Sequence, residues 1–283
     1  MGSLAFGSAG PALIEGLGEH EREAILRVLL ERALRLCAQE GCRGLEAALP
    51  PLARAQLENR SGASPLDPLG FSSISTSTYV LDLRRDETEL LAGFRQAVRR
   101  AIRMAEKEGV QIRPADRPED AETYYRLHCE TYERTGATPH PAAYFKGIFE
   151  KMAPRGLCQI WTAEREGRPL AFANIGLFKK TAYYWTGCGS EEGLQVGANH
   201  LLQWRVIQRL KADGVEWYEV GEAFPAAREG DKKAGLDLFK RGFGGERRPF
   251  FRGRIDMPER APSRLRLSLY YLKRSLRILL GGR

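Results

Sequence analysis

The segment FKRGFGG at residues 239–245 sets a lysine beside an aromatic ring and follows both with glycines that allow close backbone approach. A cation held in such a loop can polarise a carbonyl. Acyl transfer from an ester or thioester to an amine builds negative charge on that oxygen, where a fixed cation contributes on the order of several kcal/mol. Lys240 is the candidate cation and Phe239 its neighbour; the alternative is a glycine-rich connection with a solvated lysine. Glu219 and Glu222 flank the end of WYEVG and could take a proton from an attacking amine. Arg99 and Arg103 stand one helical turn apart, a spacing that lets two guanidinium forks grip one phosphate or diphosphate, unless they simply form a solvated face with Glu106. Arg241, Gly242 and Phe243 continue the glycine motif. They lie in a basic run from Lys232 to Arg254 whose interleaved phenylalanines suit an RNA end or, equally, a buried strand.

Other chemistries have little to stand on. There is no HExxH, no Walker loop and no GxSxG. The five cysteines (Cys37, Cys42, Cys129, Cys158, Cys188) are dispersed, with no CxxC and no Cys/His cluster at zinc spacing, so no metal is expected and the thiols read as reduced, in a cytoplasmic protein. His128 and His200 fall on helical patterns, where a lone histidine is more often packed or solvated than catalytic. No redox cofactor is implied.

The elements that must position these residues follow from periodicity. The 283 residues, 43% hydrophobic and with a net charge of +8, supply ample core for two modest domains or one large one and favour anionic partners. No stretch approaches the roughly 20 apolar residues needed to span a bilayer, and the N-terminus lacks the basic region of a signal peptide. A helix is expected over about 20–39, then loop punctuation over 41–76 with at most a short helix around 51–57. A strand at 77–83 precedes a helix capped by Asp86 and running to Glu108, and a strand QIRPA follows. Helices at 118–134 and 141–152 lead into three strands at 157–164, 169–178 and 181–187, a helix over 198–212, a strand at 217–221 and a last strand near 248–255. This order is an α+β pattern with a mixed, largely antiparallel sheet flanked by helices. Residues 258–283 carry leucines at helical spacing and seven basic residues against Glu259, a net of +6. Such a basic amphipathic helix can dock on the protein body or lie on a membrane surface or RNA.

Read together, STYVLDL before a long helix, RRAIRMAEKEGV within it, YYRLHCETYERTG, GANHLLQWRVIQRLKADG, WYEVGEA and FKRGFGG occur in an order that resembles the FemABX family of aminoacyl-tRNA-dependent transferases, a branch of the GNAT-like acyltransferase fold. The resemblance covers about 77–250. It implies a GNAT-like transferase domain over 77–257, preceded by an incomplete second GNAT-like lobe over 1–76 and followed by the helix at 258–283. It also implies that Phe239 and Lys240 act at the reacting ester and that the helix bearing Arg99 and Arg103 contacts the acceptor's phosphates. Full-length relatives carry two complete lobes, and their usual aspartate is replaced here by Glu219.

The expected activity is therefore transfer of an aminoacyl group from aminoacyl-tRNA to an amine of a peptide-like or amino-sugar acceptor, as in peptidoglycan-precursor or natural-product assembly. Its partners would be a tRNA acceptor end and a phosphate-bearing or peptide-like small acceptor, with peripheral membrane contact through 258–283. An acyl-CoA-dependent GNAT N-acyltransferase of cell-envelope or polysaccharide assembly is the alternative. That class needs a Q/R-x-x-G-x-G/A loop to receive the CoA pyrophosphate, and the equivalent EEGLQVGANHLL does not match it. A non-catalytic RNA- or membrane-binding protein is the third reading.

Overall fold

A computed structural model describes residues 4–5, 16–49, 51–52, 62–224, 227–228 and 231–257. The chain divides into two compact units, one of residues Met1–Ser77 with Pro249–Arg283, the other of Thr78–Arg248. In the first unit, helix α1 (Glu19–Gln39) buries Ala33, Leu34 and Cys37 with Leu45 and Ala47 of β2 (Gly44–Ala48) and Ile255 of β9 (Glu246–Asp256). The short β1 (Leu4–Ala5) runs parallel to β2, and β2 pairs antiparallel with β9. The segment 41–76, read as loop, thus contributes β2 and the start of β3 (Ser72–Asp82). Its Gly and Ser content weakens strand propensity, and ladder partners from residues 252–256 override it. The expected helix around 51–57 lies largely outside the described residues, as does the whole of 258–283. The last strand was expected within the transferase domain, but from Pro249 it belongs to the first unit.

The second unit holds the strands in the order β3-β8-β7-β6-β5-β4, with β4 (Gln111–Pro114), β5 (Cys158–Arg165), β6 (Arg168–Phe178), β7 (Thr181–Gly189) and β8 (Trp217–Glu219). Every described pairing there is antiparallel except β7 with β8, which is parallel. The sheet is mixed, largely antiparallel and flanked by helices, as the element order predicts. One core joins Tyr79, Leu81, Ala173 and Ile175 of the strands to Val98 and Ile102 of α3 (Gln96–Lys107) and to Leu201, Val206 and Ile207 of α7 (Ala198–Ala212). A second joins Ile160, Phe172 and Cys188 to Tyr124 and Leu127 of α4 (Asp120–Thr135), Phe145 of α5 (Ala142–Gly147) and Ile148 of the π-turn that continues it. Each fully buried Val, Leu, Ile or Phe side chain among these contributes about 1.5–3 kcal/mol.

The helix expected from 86 to 108 is two. Asp86 caps α2 (Glu87–Gly93) by accepting the Glu89 N–H, but Phe94 and Arg95 are extended, with ψ of 146° and 148°, before α3 begins. Gly93 weakens helix continuation, while Phe94 turns inward between Trp204 and Phe243, at 5.4 Å from each ring centroid.

Arg113 of β4 joins sheet to helix: Nη1 and Nη2 donate to the two oxygens of Asp120 at 2.7 and 2.8 Å, and Nε donates to Glu164 at 2.8 Å. Burial opposes ionisation of Asp120, yet hydrogen bonds from Arg113 and the Arg117 amide hold its carboxyl below the usual value. Replacing Arg113 by leucine leaves buried Asp120 without its bidentate partner and Glu164 with Arg117, and should cost about 3 kcal/mol in urea unfolding. Because the Asp120 pKa is lowered on folding, this stabilisation is present above its unfolded value and lost as the pH falls through the folded one. A variant with the wild-type midpoint would show the bridge to be neutral.

Candidate active site

The pairing of β7 with β8 is short. It joins Thr181, Ala182 and Tyr183 to Trp217, Tyr218 and Glu219, after which β7 continues to Gly189 paired with β6 on its other side while β8 ends. The fork between them is where Lys240 arrives. It is carried by α8 (Lys232–Arg241), a helix with Gly235 in its interior that Asp231 caps through the Lys233 N–H.

The Lys240 ammonium is 7% exposed and donates to the Glu222 carbonyl at 2.6 Å. At Gly221, φ is +84°, and a Cβ there would stand 2.7 Å from Lys240 Nζ and 3.2 Å from the Tyr184 carbonyl. Only glycine fits between the lysine head and the end of β8. Glu219, 4% exposed, is linked to Thr78: the threonine hydroxyl makes a short hydrogen bond with Glu219 Oε1 and lies 3.0 Å from the Gly221 carbonyl. One hydroxyl proton facing two acceptors favours a protonated Glu219 in the resting site.

Burial pushes the Glu219 carboxyl up to about 7, against the hydrogen bond from Thr78 and the charge of Lys240. Burial also lowers Lys240 to about 8, against the charges of Glu219, Glu222 and Asp237. Two coupled groups thus titrate close to neutrality, which is what acid–base chemistry on an amine requires. The site can hold a positive charge in a dry fork, beside a carboxyl able to give or take a proton.

The structure brings Lys240, Glu219 and Glu222 together and sets the other expected residues apart. Phe239, half-buried, packs its ring 5.1 Å from both His200 and Phe243. Phe243 is a core residue at 2% exposure, and its ring is not available for stacking on a substrate. Gly242 is structural as well: its carbonyl accepts the Arg95 N–H at 2.9 Å, and a Cβ on it would lie 2.5 Å from Val98. Arg241 is exposed, 3.9 Å from Asp237. Arg99 is spent on the end of α2, where Nη1 donates to the Ala92 and Phe94 carbonyls. Arg103 is exposed and unpaired among the described residues, so the forked phosphate grip of the two is not assembled. Thr78, Gly221 and Asp237 were not singled out: Thr78 meets Glu219 only through the β3–β8 ladder, and Asp237 approaches Lys240 only because they share an unforeseen helix turn.

His128 is packed, as a lone helical histidine was expected to be. Its Nε2 accepts the His140 backbone N–H at 3.0 Å, and burial lowers its pKa to about 4. Among the described residues no group of three His, Cys, Asp or Glu could hold a metal ion, and no helix is long and apolar enough to cross a membrane.

A short helix, α6 (Glu191–Gln195), precedes α7. Its cap Ser190 receives the Gly193 N–H on its hydroxyl and the Leu194 N–H on its carbonyl, and the Val196 N–H goes to the Glu192 carbonyl, all at 3.0 Å. Glu192 of this helix pairs with Arg165 at 2.5 Å, and a Cβ at Gly197 would lie 2.6 Å from the Ala101 carbonyl. Along the rest of β7, side chains take the carbonyls: Tyr124 donates to Thr186 O at 3.0 Å, Asn199 to Cys188 O at 3.1 Å and Arg134 to Gly189 O at 2.9 Å.

Comparison with known proteins gives one family: the description Acetyltransferase (GNAT) domain matches residues 92–233, half of the chain. Among solved structures, FemX is similar with a TM-score of 0.62 at 16% identity, over 82% of this chain and 77% of that one. The C-terminal domain of a putative lysylphosphatidylglycerol synthetase from Agrobacterium fabrum has a TM-score of 0.56 at 14% identity, over 90% and 79%. L-PGS from Bacillus licheniformis has a TM-score of 0.54 at 15% identity, over 92% and 80%. No curated protein sequence matches.

Proposed function

Since the chain belongs to the acetyltransferase (GNAT) domain family and has a FemABX-like GNAT fold, we propose that this acyltransferase takes its acyl group from aminoacyl-tRNA and forms an amide on an amine. The observation that carries the proposal is the Lys240–Glu219 pair in the β7–β8 fork, together with a turn before α7 whose 193, 194 and 196 N–H groups are already bonded within it. A CoA pyrophosphate needs free N–H groups at a helix N-terminus. Here the N–H groups of 193, 194 and 196 are taken internally. A pantetheine arm, with its two amides, would seek an open strand edge, and β7 offers carbonyls already held by Tyr124, Asn199 and Arg134. The neighbour named for lysylphosphatidylglycerol synthesis supports an aminoacyl group as the cargo of this fold.

In the reaction, the acceptor amine attacks the ester carbonyl, whose oxygen gains charge beside the Lys240 ammonium. Glu219, ionised in the reactive form, accepts the proton that the nitrogen loses. The C–O bond to the terminal ribose breaks, its oxygen takes up a proton, and an amide and a free ribose hydroxyl result. The acceptor is a peptide-like or amino-sugar amine, and 258–283, with its +6 charge, is the candidate contact to tRNA or to an anionic membrane surface.

Donor preference tests the proposal by calorimetric titration with CoA, acetyl-CoA, uncharged tRNA and bulk aminoacyl-tRNA. Charged tRNA should bind in the micromolar range or tighter, with CoA at least a hundredfold weaker. Saturable micromolar binding of acetyl-CoA without binding of tRNA would transfer the assignment to the CoA-dependent class.

A further inference from the structure

A groove of about 740 Å³ lies over β4 and β5 between α3 and α7 and shares no residue with the Lys240 cluster. Its volume suits a mononucleotide-sized ligand. Val110, Ile112, Leu201 and Trp161 supply the apolar lining, and Arg205, Arg209 and Glu106 the charged groups. Trp161 is held in place: its indole N–H donates to Gln159 at 3.2 Å, and the Gln159 amide donates to Asp213 at 2.9 Å.

The other three tryptophans each have an occupied face. Trp204 meets Phe94, Trp217 lies under the Arg84 guanidinium at 4.5 Å, and the Trp185 ring covers Gly176. Among the described residues no aromatic ring or cation stacks on Trp161, although it is only half-buried. The two arginines stand one turn apart on α7, and each retains unused N–H groups. Arg205 donates from Nη1 to Gln208 and from Nη2 to Glu106; Arg209 donates only from Nε, to Asp213. Both guanidinium groups are therefore oriented by an acid without being saturated by it.

From this juxtaposition we infer that the groove binds a nucleotide, with its base against the open face of Trp161 and its phosphate between Arg205 and Arg209. A flat π-system seeks an indole face, an anion seeks paired guanidinium forks, and the Glu106 carboxylate beside them can accept an exocyclic amine. The same chemistry is offered by a free mononucleotide and by an exposed base of single-stranded RNA. The site requires neither Lys240 nor any choice of acyl donor.

The test is calorimetric titration of the full-length protein with AMP, CMP, inorganic phosphate and a short single-stranded RNA. Wild type should bind the nucleotides or the RNA saturably and should not bind phosphate alone. Tighter binding of the RNA would assign the groove to a polynucleotide, and equal binding of AMP to a free nucleotide. Trp161→Ala and Arg209→Gln should each weaken binding at least tenfold, Trp161→Phe should largely retain it, and Lys240→Met should leave it unchanged. The inference is overturned if no nucleotide binds, or if binding survives in both Trp161→Ala and Arg209→Gln. An active enzyme that fails this test would lose only the groove, whereas binding without transfer would leave the groove and remove the transferase reading.

Discussion

Lys240→Met should lower the turnover of acyl transfer by about a hundredfold with the fold intact. The magnitude is that of removing one fixed donor from a developing oxyanion. Methionine keeps the length and volume of the buried stem, so the fork stays filled and the lost component is the charge. Stability should hold or rise, because burial of the ammonium opposes folding, as its lowered pKa reports. Arginine does not rescue, since a Cβ at Gly221 would already stand 2.7 Å from Nζ and the larger guanidinium has no room. Steady-state turnover, together with the urea midpoint, checks both halves of this expectation. Unchanged turnover in a folded variant removes Lys240 from the mechanism.

Glu219→Gln carries the second large effect, about a hundredfold in turnover with a changed pH profile. The active form needs Glu219 ionised and Lys240 protonated, so the wild-type rate should rise through about 7 and fall through about 8. The two limbs belong to the coupled pair rather than to one residue each. In the variant the acidic limb disappears. Stability moves in the opposite sense. The Glu219 pKa is raised on folding from 4.5 to about 7, so its contribution is full below 4.5 and is lost as the pH rises through 7. Lys240 is lowered from 10.5 to about 8, so stability is regained as the pH rises between those values. The native protein should therefore be least stable, by this pair, between about 7 and 8, where it is most active. A pH–rate profile whose acidic limb is unaltered in Glu219→Gln would exclude this carboxyl as the base.

How far the sequence reached can be judged from particular elements. α7 falls on 198–212 as its periodicity predicts, because Gly197 and Gly214 bracket a run that buries one face continuously. The β5–β6 and β6–β7 turns occur at Glu166-Gly167 and Lys179-Lys180, where short polar breaks separate β-rich runs and Glu166, Gly167 and Lys179 adopt positive φ. The elements misread are those whose stability comes from elsewhere in the chain. β2 forms against a strand some 200 residues away, a partner that no local window contains. α8 contains Gly235 and stands between glycine-bearing stretches, so a local reading merges it with loop. In the structure it is capped by Asp231 and positioned by burial of Asp237 and Lys240.

The candidate site was legible to the same degree. Lys240, Glu219 and Glu222 were found from residue type and the glycine motif, and they do meet in the fork. Helix spacing and the family resemblance both point Arg99 at a phosphate, whereas the break at Phe94–Arg95 gives it the role of holding the carbonyls that the break leaves open. Thr78 could not be found, since its meaning depends on strand register. The residues that do chemistry are visible in a sequence when type and local motif select them, and invisible when only the ladder does.

In the proposed reaction the buried lysine–carboxyl pair transfers an aminoacyl group from its ester on tRNA. The most direct measurement is single-turnover transfer of a radiolabelled amino acid mixture from bulk charged tRNA to a small peptide amine, with acetyl-CoA thiol release followed in parallel, for wild type and Lys240→Met. The prediction is label in the amide product with wild type, at least a hundredfold slower with Lys240→Met, and no thiol release above background. Release of thiol from acetyl-CoA, with charged tRNA decaying at its uncatalysed rate, would contradict it.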